Sequence, residues 1–204
     1  MRRGFFECKQ FEAVRLRLPA CIQPVVSFAY ITGWRIQSEV LPLEWRQVDS
    51  VAGTVRLDPG TTKNREGRVF PMTDDLRTLL KKQRVEADTL KTKGIICPRV
   101  FHRDGRPIRS FRKAWETACT AAGCPGRIPH DLRRTAVRNL VRSGISERVA
   151  MTLTGHKTRS VFDRYNIVSE GDLTDAAAKL GAFMGTLSGT PTGDRGEQEA
   201  KQSS

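Results

Sequence analysis

Apolar residues recur at helical spacing along most of this chain and abandon it over one stretch, residues 48–71. Phe11, Val14 and Leu18 share a helix face over residues 7–18, and a second helix is predicted from about Pro24 to Tyr30, with Pro24 suited to a first turn. Gly33 breaks the chain, and Ile36 to Leu41 begins another helix that Pro42 stops. From Val48 the spacing turns odd. Val51, Val55 and Leu57 are followed by a Pro59-Gly60 turn, a polar run containing Lys63, and Arg68-Val69-Phe70-Pro71 as a returning strand. Helical spacing then resumes. One long helix opens at Thr73 with Asp74 and Asp75, where the dipole favours acids, and runs to about Leu90. Others cover Ser110 to Ala122, Asp131 to Val141, a short piece from Ser146, a turn or two near residues 160–166, and Leu173 to Phe183. Residues 92–108 read as loop. The expected fold class is mainly α with a small antiparallel β-sheet of two or three strands, that is, α+β.

Charge narrows the partner. The 204 residues carry a formal +13. The last twenty hold three acids against two bases in a Gly-, Ser-, Thr- and Gln-rich run that reads as disordered, so the globular part carries +14. A positive field of that size draws polyanions, nucleic acid first among them. No apolar run approaches the ~20 residues of a membrane span, and the start lacks the long apolar stretch of a secretory signal. The five cysteines, Cys8, Cys21, Cys97, Cys119 and Cys124, show neither C-x-x-C nor zinc-finger spacing. They read as free thiols.

Chemistry concentrates in Pro129 to Tyr165. Pro-His-Asp-Leu-Arg-Arg-Thr spans 129–135, Leu-Thr-Gly-His-Lys spans 153–157, and Phe-Asp-Arg-Tyr spans 162–165. Two of the three histidines and one of the two tyrosines fall here. His130 and Arg133, at i and i+3, share a face at a helix N-terminus, a natural phosphate site. A solvated first turn is an equally good reading of that pair alone. Gly155 allows a sharp bend that presents His156 outward, although a lone turn histidine is more often structural. Trp34 and Trp45 read as core, and Arg138 and Arg142 as solvent-facing.

Together with Thr32-Gly33-Trp34-Arg35, the run Ser38 to Trp45, Val48-Asp49 and Thr62-Lys63-Asn64, these blocks resemble the tyrosine recombinase or phage integrase family over roughly residues 7–183. The resemblance implies a catalytic domain over residues 1–184, a tail over 185–204, and absence from this chain of the family's N-terminal DNA-clamping domain. Glu39 lies four residues beyond Arg35, where many members have three. The implied site is Tyr165 as nucleophile, Arg35 and Arg133 as phosphate clamp, Lys63 as general acid, His130 in proton transfer and His156 bonding a phosphate oxygen. Arg134, Lys157, Arg159 and Arg164 would touch nearby phosphates. The implied reaction needs no cofactor or metal. It joins Tyr165 to a DNA 3′-phosphate and releases a 5′-OH. The implied partners are double-stranded DNA and further copies of the chain, a tetramer on DNA, in a prokaryotic cytoplasm at the nucleoid. The Leu173, Ala176, Ala177, Leu180 and Phe183 stripe would pack in a neighbouring subunit or in its own domain.

Three other readings differ in class. Ser146 to Tyr165 can pass for a helix-turn-helix of a binding-only protein, which leaves Arg35, Lys63 and His130 unexplained. A metal-dependent nuclease lacks clustered ligands at suitable spacing. A type IB topoisomerase shares the chemistry without recombining.

Overall fold

A computed structural model of the chain describes residues 4–60, 67–163 and 170–187. Helix α1 spans Cys8–Arg15 and α2 Gln23–Thr32, and a single π turn covers Ile36–Val40. After a short 3₁₀ turn at Trp45–Gln47 come β1 (Val48–Asp49), β2 (Thr54–Leu57) and β3 (Arg68–Pro71). Helix α3 spans Asp74–Thr92, a small hairpin joins β4 (His102–Arg103) to β5 (Arg106–Pro107), and α4 spans Arg112–Ala121. Helices α5 (His130–Arg142), α6 (Glu147–Thr154), α7 (Arg159–Asp163) and α8 (Glu170–Leu187) follow. None of the described helices is long and apolar enough to cross a membrane.

Helix α2 is the centre because half of its residues are buried, Val25, Val26, Phe28, Ala29 and Thr32, and none is fully exposed. It packs on α1, α3 and α5, while α5 packs on α6, and α6 reaches β3. Phe28 meets Trp34 and Phe101 edge-on at 5.6 and 5.5 Å, and Trp34 meets Phe70 at 6.3 Å. Each such buried ring stabilises the fold by roughly 1.5–3 kcal/mol. The ring of Trp34 therefore meets two aromatic rings, and its Nε1 donates to the Leu153 carbonyl at 3.0 Å. Trp34 immediately precedes Arg35, so this packing aims Arg35.

The three strands form one antiparallel sheet in the order β1-β2-β3, with Val55 opposite Phe70 on the core side. A second, smaller apolar cluster of Val137, Ala150 and Phe162 ties α5, α6 and α7 together. Residues 4–163 and 170–187 belong to separate compact units. In α8, Leu173, Leu180 and Phe183 are exposed.

Several expectations are corrected. Ile36–Val40 forms one π turn, because Val40 N and Leu41 N bond five residues back to Arg35 O and Ile36 O. Val51 sits in the β1–β2 turn, fully exposed, since Asp49 Oδ1 accepts from Val51 N and Ala52 N and closes a local turn. The expected loop at 92–108 contains the β4–β5 hairpin, whose two-residue strands are too short to alternate. The last helix runs on to Leu187, past the expected start of the tail. Arg138 is buried rather than solvent-facing: its guanidinium donates to Glu7 Oε1 at 2.7 Å and to the Phe6 carbonyl at 3.0 Å. Cys119 and Cys124 are free thiols, as expected, and both are buried; burial pushes the Cys119 thiol up to about 12.

Candidate active site

Four elements end at one place. Helix α2 stops at Gly33, whose φ of +68° closes the helix in the left-handed region and turns Trp34 and Arg35 back across it. The π turn that follows is wider than an α turn, and it brings the Glu39 carboxylate over the Arg35 backbone. Glu39 Oε2 accepts from Arg35 N at 2.7 Å, while Oε1 accepts from Arg35 Nη1 at 2.8 Å. Glu39, four residues beyond Arg35, also donates its own N–H to the Arg35 carbonyl at 2.9 Å, just before the five-residue bonds of the π turn begin. Glu39 is 1% exposed, so its charge needs these partners.

Arg133, one turn into α5, is buried as well. Its Nη1 donates to the Gly33 carbonyl at 2.6 Å and the Thr154 carbonyl at 2.7 Å. Those carbonyls lie at the C-terminal ends of α2 and α6, where the helix dipole is negative and favours a cation. Arg133 Nη2 faces the His156 ring, 3.2 Å from Nε2 and 3.3 Å from Nδ1.

His156 follows Gly155, which caps α6 with φ +72°. The ring meets Phe162 edge-on at 5.7 Å, and Thr154 Oγ1 lies 2.7 Å from Nδ1. The same hydroxyl is 2.7 Å from the Ala150 carbonyl. It has one proton to give. Donated to Ala150 O, it leaves His156 protonated at Nδ1; donated to Nδ1, it leaves the proton on Nε2, the form that can bond an oxyanion. Burial first, then Arg133, Arg35, Arg68 and His130, hold the His156 pKa down at about 3, so the ring is neutral at pH 7. His130 starts α5 after Pro129. Its pKa is also lowered, by desolvation first and then by Arg133, Arg134 and Arg35.

Arg35, His130, Arg133 and His156 are therefore brought together, from segments as far as 121 positions apart in the chain. Lys63, Arg164 and Tyr165 lie outside the described residues. Of the expected phosphate contacts, Arg134 Nη1 lies 3.7 Å from Asp131 Oδ1, and Arg159 pairs with Glu147 at 2.8 Å. Lys157 is exposed on a cavity of about 430 Å³ that His156, Arg68 and Arg148 also line. Sequence reasoning missed Arg68 and Thr154. Arg68 left a signal: it lies two residues before Phe70 on β3 and so shares its inward face, and an inward arginine needs a buried acid. The Thr154 carbonyl left none, because a backbone acceptor carries no residue signature.

The model of the phage integrase family matches residues 9–171, most of the chain. The chain belongs to the phage integrase family. The integrase of Salmonella phage P22 is 29% identical over 188 residues, which cover 86% of this chain and 47% of the phage protein. A crystal structure of XerA recombinase superposes with a TM-score of 0.70 at 17% identity, over 88% of this chain and 65% of that one. A lambda integrase tetramer bound to a Holliday junction gives 0.65 at 18% identity, over 82% and 49%. The fold is that of tyrosine recombinase catalytic domains. The chain spans about half the length of the curated relatives it matches.

Proposed function

We propose that this chain carries the strand-cleaving and strand-joining chemistry of a site-specific DNA recombinase. The observation that carries the reading is the convergence of Arg35, Arg133, His130 and His156 on one spot, in a member of this family with a +13 charge. Among the described residues, four arginines (Arg35, Arg68, Arg133 and Arg134) face two buried carboxylates, Glu39 and Asp131, which leaves the spot short of negative charge. A phosphodiester supplies it.

In the proposed step, Tyr165 Oη attacks the scissile phosphorus while the P–O5′ bond breaks. The products are a 3′-phosphotyrosyl bond and a free 5′-OH. Charge building on the non-bridging oxygens is met by Arg35 and Arg133, and by a His156 Nε2–H in the tautomer that Thr154 permits. His130, whose lowered pKa favours its neutral, proton-accepting form, takes the phenolic proton. Lys63 gives a proton to the leaving O5′. Attack by another strand's 5′-OH reverses the sequence and rejoins DNA. The bond energy is held in the phosphotyrosine, so no nucleotide cofactor enters.

The assignment of Tyr165 has support from the other tyrosine. Tyr30 is stacked on Phe11 at 3.9 Å, and its hydroxyl accepts from Asn139 Nδ2 at 3.4 Å. Burial raises its pKa, the wrong direction for a nucleophile. The DNA partner and a tetrameric assembly on DNA belong to the same proposal, in line with the lambda integrase complex, as does action at the nucleoid. The test is a nicked suicide substrate carrying the cognate site, in EDTA. A covalent protein–DNA adduct that Tyr165→Phe abolishes is the expected result. DNA binding with no adduct from the wild-type chain overturns the proposal in favour of a binding-only role.

A further inference from the structure

Arg68 opens β3 and touches both halves of the site without belonging to the clamp. Its Nη2 donates to Glu39 Oε1 at 2.6 Å, and its Nη1 donates to the Thr154 carbonyl at 2.6 Å. The side chain is 6% exposed and lies 5.7 Å from the Trp34 ring centroid. It packs so closely on Gly155 that a Cβ added there would collide with its guanidinium. Glu39 is the carboxylate that holds Arg35, and the Thr154 carbonyl is shared with Arg133. Gly155 is the residue before His156. One guanidinium thus spans the acceptor that fixes Arg35 and the backbone that fixes Arg133 and His156.

We propose that Arg68 is a positioning residue, which sets the spacing of Arg35 relative to Arg133 and His156 by bridging Glu39 and the Thr154 carbonyl. The proposal rests on the strand-transfer reading above. Two physical reasons favour arginine in this place. Its planar fork presents two N–H donors at a fixed separation, whereas a lysine ammonium is a point charge on a flexible stem. Charge is the second reason. Glu39 with Arg35 alone would be a closed, neutral pair with little pull on a phosphate. The second guanidinium leaves the trio at a net single positive charge, so Arg35 stays able to bind an anion while its geometry is held. Burial keeps Arg68 itself off the DNA.

The experiment uses the full chain with Arg68→Lys, Arg68→Gln, Glu39→Gln and the double variant Glu39→Gln/Arg68→Gln. Three quantities are read: DNA affinity, single-turnover adduct formation, and the ¹⁵N resonances of Arg35 Nε and the His156 ring without DNA. Arg68→Lys is expected to bind DNA within about threefold of wild type yet form adduct about 100-fold more slowly, the scale of a misplacement near 1 Å. The double variant should lose no more rate than Glu39→Gln alone, because both changes break one unit. The Arg35 and His156 resonances should shift in Arg68→Lys. Wild-type adduct rates in Arg68→Lys, multiplicative losses in the double variant, or unmoved resonances each overturn the proposal. The resonances need no cleavage, so they decide the matter even where the wild-type chain forms no adduct, the result that would instead defeat the strand-transfer reading.

Discussion

Replacing Glu39 by glutamine removes one charge from the buried centre of the site and changes little else in shape. The carboxylate accepts three hydrogen bonds, at 2.7 Å from Arg35 N, 2.8 Å from Arg35 Nη1 and 2.6 Å from Arg68 Nη2. Glutamine keeps one oxygen and turns an NH₂ on a donor. Placed best, its oxygen still lies between the two guanidiniums, but those bonds lose their ionic character, about 1 kcal/mol apiece. The NH₂ then faces the Arg35 N–H, two donors together, which costs a further ~1–3 kcal/mol. Breaking one partner of a buried pair costs about 3–5 kcal/mol in general. The Arg35 side chain is 26% exposed, so water relieves part of the loss and the low end, about 3 kcal/mol, is expected. For a domain of this size that is a fall of roughly 6–12 °C in Tm. Calorimetry or circular dichroism measures it, with Glu116→Gln as the control. That residue pairs with Arg112 on the open surface, 57% and 85% exposed, so its loss should leave Tm at the wild-type value. Equal Tm values for Glu39→Gln and wild type would refute the role given to this carboxylate.

Acid should weaken the fold through His156. Its folded pKa of about 3 lies below the ordinary value near 6.5, so the unfolded chain binds a proton that the folded chain refuses between those values. The contribution is therefore complete above about pH 6.5 and falls as pH drops, by about 2 kcal/mol at pH 5. His156→Gln should flatten that slope in denaturant midpoints taken from pH 7 to 4, and an unchanged slope contradicts the assignment. Gly155→Ala forces a side chain into φ +72° and onto the Arg68 guanidinium. A loss of at least about 1–2 kcal/mol is expected in urea unfolding, and a neutral result would show that the close packing is relieved at no cost. Thr154→Val keeps the carbonyl and removes the hydroxyl that sets the His156 tautomer. The rate of adduct formation should drop about 3–10-fold, the worth of one neutral hydrogen bond, with about 1–3 kcal/mol of stability lost because the buried His156 Nδ1 loses this partner; an unaffected rate contradicts it.

The parts of the fold governed by local rules were legible. Leu132, Ala136 and Val137 repeat at helical spacing and are buried in α5, and Thr73 caps α3 by accepting from Leu76 N. Gly33 and Gly155 sit in turns that need left-handed backbone. What escaped depends on partners far along the chain. Arg138 reads as a surface residue until Phe6 and Glu7, about 130 positions earlier, arrive against it. The residue types of the site were visible, but what orients them was not. Arg133 is held by carbonyls of Gly33 and Thr154, 100 and 21 positions away, and carbonyls look alike in every sequence. In the sequence the π turn reads as an ordinary helix start, because apolar spacings of three and four cannot be told from five over so short a run.

A covalent bond between Tyr165 and a DNA 3′-phosphate is the core of the proposed reaction. Trimming the trapped adduct with nuclease and sequencing the peptide by mass spectrometry tests it most directly. The expected result is a single modified peptide, residues around Tyr165, carrying a 3′-linked nucleotide on Tyr165 itself. A nucleotide found on Tyr30, on a histidine or on a serine, or no modified peptide at all from DNA-bound protein, would contradict the claim.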